Sequence, residues 1–103
     1  MIEQALTLRP TVIGGETAEG DFTVIHDGRE VGRIRKTQDL LHGTEVSAWN
    51  ITVPLPMPAW CHGSAESLEA AKWAFRCAWE RFHSELSKDE IARWHHTHDA
   101  RKP

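Results

Sequence analysis

The chain has 103 residues, a formal net charge of −3 and five tryptophans, and at this length a single domain is expected. Apolar residues make up 40% and charged residues 26%, which excludes collagen-like, membrane-spanning and wholly disordered classes. The small net negative charge argues against a protein whose main function is to bind the phosphate backbone of nucleic acids. The first residues lack the basic and apolar segments of a secretory signal, so we expect a cytoplasmic protein with reduced cysteines.

Three segments differ in composition along the chain. Residues 1–20 are interpreted as an N-terminal arm and flexible link, because the apolar piece Leu6–Leu8 is followed by Pro10 and a small polar run. A single α+β domain is predicted over residues 21–98. Residues 99–103 are predicted to form a basic tail.

The sequence DFTVIHDGREVGRIRK predicts a β-hairpin, since two runs rich in β-branched residues flank an Asp-Gly dipeptide that accepts positive φ. The register depends on the loop length. A three-residue loop pairs Phe22 with Ile34 and Ile25 with Val31, whereas a two-residue loop would pair both apolar residues of the first strand with charged ones. We therefore predict the three-residue loop.

The segment SAWNITVPL alternates apolar and polar residues and predicts a third antiparallel strand. One side of this strand would carry Trp49, Ile51, Val53 and Leu55. The strand is expected to end at Pro54, which lacks a ladder donor, or to lie at a sheet edge. The following PLPMPAW is interpreted as a proline-stiffened crossover.

A long amphipathic helix is predicted next, with Ser67 as its N-cap. Its apolar stripe repeats with a period of about 3.6 residues and comprises Leu68, Ala71, Phe75, Ala78, Trp79, Phe82 and Leu86. The sequence from Ser87 to Glu90 matches a capping box and predicts a second, short helix with Ile91 and Trp94. The predicted fold is α+β, a three-stranded antiparallel sheet packed on one long helix plus a short C-terminal helix.

The phrases DGREVGRIRK, WNITVPLP and SLEAAKWAFRCAWERF, in this order, resemble a group of small uncharacterised bacterial proteins. Those proteins share a DGR-VGRI hairpin, a Trp-containing strand and a LEEAKAxFRxxW helix. The resemblance covers residues 6–86, and Cys61, His62 and the HHTH run depart from its pattern. Because the family has no established activity, the resemblance implies a strand order and a helix, and no catalytic residue.

The run HHTHD near the C-terminus is a candidate metal site. On a helix, His95, His98 and Asp99 would share one face at spacings that can coordinate zinc. The run has no matched second pair of ligands and lies where helices fray, so a solvated helix end is the favoured interpretation. No cofactor is therefore predicted.

Cys61 and His62 suggest a thiolate paired with an imidazole, as a cysteine nucleophile requires. Adjacent residues seldom bring their side chains into hydrogen-bond contact, so a packed cysteine is favoured. The carboxylates are scattered, and neither an acid–base pair nor a phosphate loop can be nominated. We do not expect an enzyme.

The hairpin offers a candidate nucleic-acid surface. Arg33, Arg35 and Asn50 would project together on the solvent face of the sheet, where a cationic surface can hold a single strand. The strand aromatics Phe22 and Trp49 fall on the core face, which leaves this surface without stacking groups. Nucleic-acid binding is therefore the alternative function.

The long helix carries a second apolar face, formed by Ala70, Trp73 and Cys77, about opposite the core stripe. We expect this face to be a contact surface, covered by the C-terminal helix, by the N-terminal arm or by a second copy of the protein. The favoured function is a non-catalytic protein-interaction or regulatory module with a protein partner or self-association and no membrane. A metal-binding protein or an enzyme comes third, after nucleic-acid binding.

Overall fold

An antiparallel sheet and two helices form an α+β fold in the computed structural model, which describes residues 6–39 and 41–100. The sheet has five strands in the order β1-β2-β3-β4-β5, so each strand pairs with its neighbours in sequence. The strands are β1 (Thr7–Ile13), β2 (Glu16–His26), β3 (Arg29–Gln38), β4 (Glu45–Ile51) and β5 (His62–Ala65). The helices are α1 (Leu68–Ser84) and α2 (Lys88–Ala100), and a short 3-10 turn at Ala59–Cys61 precedes β5.

The prediction of an N-terminal arm and flexible link is wrong for residues 7–20, because they belong to the sheet. Residues 7–20 form β1 and the first part of β2, which pair as an antiparallel hairpin. Gly14 and Gly15 have φ values of 60° and 84°, so the glycine pair makes a tight hairpin turn instead of a link. Pro10 is tolerated because β1 lies at the sheet edge. The packed sheet therefore begins well before residue 21, and residues 1–5 of the predicted arm lie outside the described residues.

The strand β5 is the second addition to the predicted three-stranded sheet. It pairs with β4 at the other edge, with His62 opposite Asn50 and Ala65 opposite Ser47. Its four residues, HGSA, include no β-branched residue, so neither composition nor alternation distinguishes it from a loop. The strand β4 has the predicted alternation but ends at Ile51, before the expected end at Pro54, and its pairing with β5 means that it does not lie at the sheet edge.

The β2–β3 hairpin agrees with the predicted register at one end and departs from it at the other. Phe22 lies opposite Ile34, as predicted. Ile25 lies opposite Glu30, so the predicted pairing with Val31 is wrong and the loop has two residues. A β-bulge absorbs the extra residue and leaves Val31 fully buried.

The helix α1 packs its predicted apolar stripe on the sheet. Within this stripe Ala71, Phe75, Ala78, Trp79 and Phe82 are buried, and Leu68 and Leu86 are partly buried against them. The sheet contributes a buried set made of Val24, Val31, Ile34, Trp49 and Ile51. Both predicted helix starts are confirmed: the Ala70 amide donates to Ser67 Oγ over 3.1 Å, and Ser87 and Glu90 exchange the two bonds of a capping box.

The helix α2 continues through Ala100, so Asp99 and Ala100 belong to it and not to the predicted tail. Residues 101–103 of that tail lie outside the described residues. Trp94 is the buried residue of α2, and its ring lies 5.7 Å from that of Trp79 at a steep angle. Neither helix of the described ranges is long and apolar enough to cross a bilayer.

Candidate interaction site

A groove of about 560 Å³ opens between β1 and α1. It arises because α1 packs mainly against β3, β4 and β5, which leaves the inner side of the β1–β2 hairpin partly uncovered. The apolar lining consists of Leu6, Leu8, Val24, Ile34, Trp73 and Phe75. Glu69, Lys72 and Arg76 of α1 add charged groups to it, so the groove combines an apolar lining with a charged margin.

Trp73 stands beside this groove with 68% of its surface exposed. The predicted cover by α2 is wrong, because Trp94 packs on Trp79 in the core. The predicted cover by the N-terminal segment is also wrong for the described residues, since Leu6 and Leu8 line the groove and leave the indole exposed. The third predicted cover, a second copy of the chain, is not tested by these contacts.

The other two residues of the predicted contact face lie on the same helix. Ala70 is half-buried and Cys77 is exposed. The margin carries ion pairs within the helix, from Lys72 Nζ to Glu69 Oε1 at 3.2 Å and from Arg76 Nε to Glu80 Oε1 at 3.0 Å. The pair of Lys72 with Glu69 is largely solvent-exposed and contributes little to stability, whereas the Arg76 side chain is only 29% exposed.

The opposite face of the sheet carries the predicted nucleic-acid residues, and the structure brings them together. Arg33, Arg35 and Asn50 line one depression of about 570 Å³. Thr52, His62 and Ser64 line it as well. This surface is mainly polar and includes two arginines, and Trp49 also contributes to its lining.

The Arg33 guanidinium pairs with the carboxylate of Asp21, a residue that the sequence did not indicate as part of this surface. Its Nε donates to Asp21 Oδ1 over 2.8 Å, a second guanidinium nitrogen binds Oδ2, and Thr11 Oγ1 donates to Oδ1 over 2.8 Å. Asp21 is buried, and the Arg33 hydrogen bond holds the pKa of this carboxyl below its usual value. The charge of Arg33 is therefore largely matched within the chain. The alternation of side chains along the two strands places Asp21 and Arg33 on the same sheet face, and this pattern could have predicted their pairing.

The two arginines should therefore respond differently to substitution. Arg33→Ala leaves the buried Asp21 carboxylate without its main partner, and we expect it to lower the free energy of unfolding by about 1 to 3 kcal/mol. Arg35→Ala removes an exposed side chain and should change it by less than about 0.5 kcal/mol. Urea denaturation at neutral pH measures both, and equal effects would contradict the assignment of Asp21 to Arg33.

Three histidines from different elements meet beside the tryptophans of the core. His26 of β2 and His83 of α1 have ring centroids 5.7 Å apart, and each lies 5.4 Å from Trp79. His95 of α2 lies 4.6 Å from Trp94. Burial lowers the pKa of His83 and His95, and neighbouring cationic groups lower it further, although two carboxylates near His95 partly oppose the shift there. The helix α2 therefore packs beside a cluster in which the neutral forms of His83 and His95 are favoured.

The predicted metal candidates do not converge as a metal site. Asp99 Oδ1 lies 3.3 Å from His98 Nδ1, but the same carboxylate accepts two hydrogen bonds from Arg29, at 3.3 Å and 3.0 Å. His95 instead makes an edge contact with the Trp94 ring. Within residues 6–39 and 41–100, no three His, Cys, Asp or Glu side chains are arranged to hold a metal ion.

Stability should fall as the pH is lowered below about 6.5, the ordinary pKa of histidine. His83 and His95 have lowered pKa values when folded, so the unfolded chain binds more protons just below this pH. Their contribution is complete above pH 6.5 and is lost as the pH falls through the folded-state values. Arg29, Asp27 and Asp99 also act around this cluster.

Melting temperatures measured between pH 5 and pH 7.5 test this dependence. This range stays above the window in which the Asp21 carboxyl, with its lowered pKa, begins to titrate. His83→Asn should flatten the profile, and His62→Asn, a change at an exposed site on the outer sheet face, should not. A wild-type profile that is flat across this range would exclude the effect.

The pair Cys61 and His62 is not arranged as a nucleophile and base. Cys61 lies in the hydrophobic core, and its burial raises the pKa of the thiol, which favours the unreactive protonated form. His62 is exposed and lines the outer depression. The packed-cysteine interpretation agrees with this geometry.

Comparisons with protein-family models, curated proteins and solved structures found no match to this chain. The resemblance to the uncharacterised bacterial proteins therefore stays a prediction, and the functional interpretation rests on the surfaces described above.

Proposed function

We propose that this protein is a non-catalytic interaction module that binds a partner protein at the groove between β1 and α1. The observation that supports this proposal is the indole of Trp73, 68% exposed at the margin of that groove. Exposed Leu, Met or Val side chains are common on protein surfaces, but a large aromatic beside an open apolar groove is typical of binding sites.

The chemistry of the groove fits a protein partner. An apolar centre with a charged margin is the usual arrangement of protein interfaces, and tryptophan is enriched among the residues that dominate binding energy. Val24, Ile34 and Phe75 are fixed by the core, so this part of the lining is already formed before binding. A partner would therefore insert a large apolar side chain beside Trp73 with little rearrangement of the sheet.

A peptide-display selection tests this function and does not require the partner to be identified first. Libraries are selected on the full chain and counter-selected on Trp73→Glu. Enriched peptides should carry a large apolar anchor and bind the counter-selected variant at least about tenfold more weakly. Leu41→Glu is the matched control, because it removes another highly exposed apolar side chain outside the groove lining. Peptides that bind wild type and Trp73→Glu equally, or no enrichment, would contradict the proposal.

Nucleic-acid binding is the second candidate, favoured by the shared depression of Arg33, Arg35 and Asn50. Two features oppose it, because Arg33 is paired with Asp21 and Trp49, which could stack on a base, is only 8% exposed. Fluorescence polarisation with labelled single-stranded RNA at low and high salt distinguishes the candidates. We expect no salt-dependent binding, and binding that Arg35→Ala abolishes would favour this second function.

A further inference from the structure

We infer that the partner at this site is a second copy of the same chain, an inference that rests on the proposed function. The contact surface, here called the Trp73 face, comprises Glu69, Ala70, Trp73, Arg76 and Cys77 of α1. In the proposed dimer the two α1 helices lie antiparallel across a two-fold axis beside Trp73. Each indole then meets its symmetry mate and the margin of the other groove.

Self-complementarity is the first reason for choosing a second copy. A two-fold interface uses the same patch on both subunits, so that patch must carry both a protruding group and a place to receive it. Five α1 residues between Glu69 and Arg76 line the groove, and Trp73 is one of them and is 68% exposed. A two-fold axis at this turn therefore places each exposed indole over the groove of the other copy.

Charge complementarity is the second reason. In an antiparallel helix pair centred on Trp73, a residue before the centre faces the residue about equally far after it on the partner. At 100° per residue, Glu69 and Arg76 lie on one side of Trp73, and Ala70 and Cys77 lie on the other. Glu69 of each copy would thus face Arg76 of the other, while the small pair Ala70 and Cys77 permits close approach.

The size of the contact indicates a reversible dimer. A standard interface buries about 800 Å² per partner, whereas one tryptophan supplies at most about 250 Å². The contact is centred on the Trp73 indole, so its area falls below that of a standard interface. The dimer should therefore form at high protein concentration and dissociate on dilution.

A disulfide cross-link tests the arrangement itself. The native Cys77 is exposed, and Ala70→Cys adds a thiol that should face it across the two-fold axis. Glutathione disulfide accepts the two electrons and is released as two reduced glutathione molecules while the two thiols join. We expect a covalent dimer from Ala70→Cys in most of the protein. Residues 70 and 77 of one helix are about 10 Å apart along its axis, too far for a bond within one chain.

Two controls make this cross-link specific. Wild type retains Cys77 alone, and Ala70→Cys with Cys77→Ser retains the new thiol alone. Each lone thiol lies well away from its own symmetry mate in the proposed geometry, so neither protein should cross-link efficiently. Cys61 is buried in the core and should not react. Cross-linking of wild type to the same extent as Ala70→Cys would overturn the antiparallel arrangement.

Light scattering across a concentration series tests the association independently. Wild type should rise from the monomer mass of 11.7 kDa toward twice that value, as should Leu41→Glu. Trp73→Glu should stay monomeric with an unchanged melting temperature at low concentration. If wild type stays monomeric up to about 1 mM while selected peptides still need Trp73, the dimer is wrong and the proposed function stands. If a dimer forms and Trp73→Glu changes neither the dimer nor peptide binding, both are wrong.

Discussion

Phe75→Ala is expected to lower the free energy of unfolding by about 3 to 5 kcal/mol, a large part of the stability of a domain this size. The Phe75 ring is 1% exposed and packs edge-on against Trp49, with ring centroids 6.2 Å apart. It also lies directly over Gly32, where a β-carbon would collide with the ring. Alanine at this position therefore removes the contact that joins α1 to the centre of the sheet.

Urea denaturation followed by circular dichroism measures this effect. Trp73→Ala is the matched control, since it removes an aromatic ring from an exposed position of the same helix. At low protein concentration this control should cost less than about 1 kcal/mol. Similar costs for the two variants would show that α1 does not pack on the sheet through its predicted stripe.

The helix and its core face could be predicted from sequence because both depend on local signals. The apolar period of α1 extends from Leu68 to Phe82, about four turns, and the caps at Ser67 and Ser87 are residue types whose side chains bind helix amides directly. Such signals involve residues only a few positions apart, so they do not depend on the rest of the fold. The same period placed Trp73 away from the core stripe, in agreement with its 68% exposure.

The two edge strands could not be predicted because their formation depends on neighbours distant in sequence. The strand β5 has no strand-forming composition and exists because β4 offers it a partner. In β1 the Pro10 suggested a break, although an edge strand tolerates it. The bulge beside Val31 likewise depends on how the hairpin meets the core, and side-chain pairing alone gave the wrong loop length.

The candidate site was predictable in part. The sequence indicated the face of Trp73 but not the groove beside it, because the groove depends on α1 covering β3, β4 and β5 and not β1. The sequence placed Arg33 and Arg35 on one surface, but it did not indicate Asp21 as the partner of Arg33. Asp21 was interpreted only as the first residue of the predicted hairpin. Contacts between elements therefore decide which surface side chains are available for binding.

The second substitution with a large expected effect on stability lies in the contact between α2 and the core. Trp94→Ala should lower the free energy of unfolding by about 3 to 5 kcal/mol, because the indole is 1% exposed and packs at 5.7 Å against the fully buried Trp79. The helix α2 has 13 residues, a length at which isolated helices are marginal in water. Its helicity should therefore depend on this contact more than on its own sequence.

Urea denaturation measures the loss of global stability in this variant, and amide hydrogen exchange measures the local loss of structure in α2. In Trp94→Ala the amides of residues 88–100 should lose protection first, since the two hydrogen bonds from Arg29 to Asp99 hold the last turn of the helix and not its centre. Arg93→Ala, an exposed change on the same helix, is the matched control and should alter stability by less than about 0.5 kcal/mol. If Trp94→Ala keeps both wild-type stability and full protection of α2, the contact with Trp79 does not hold this helix in place.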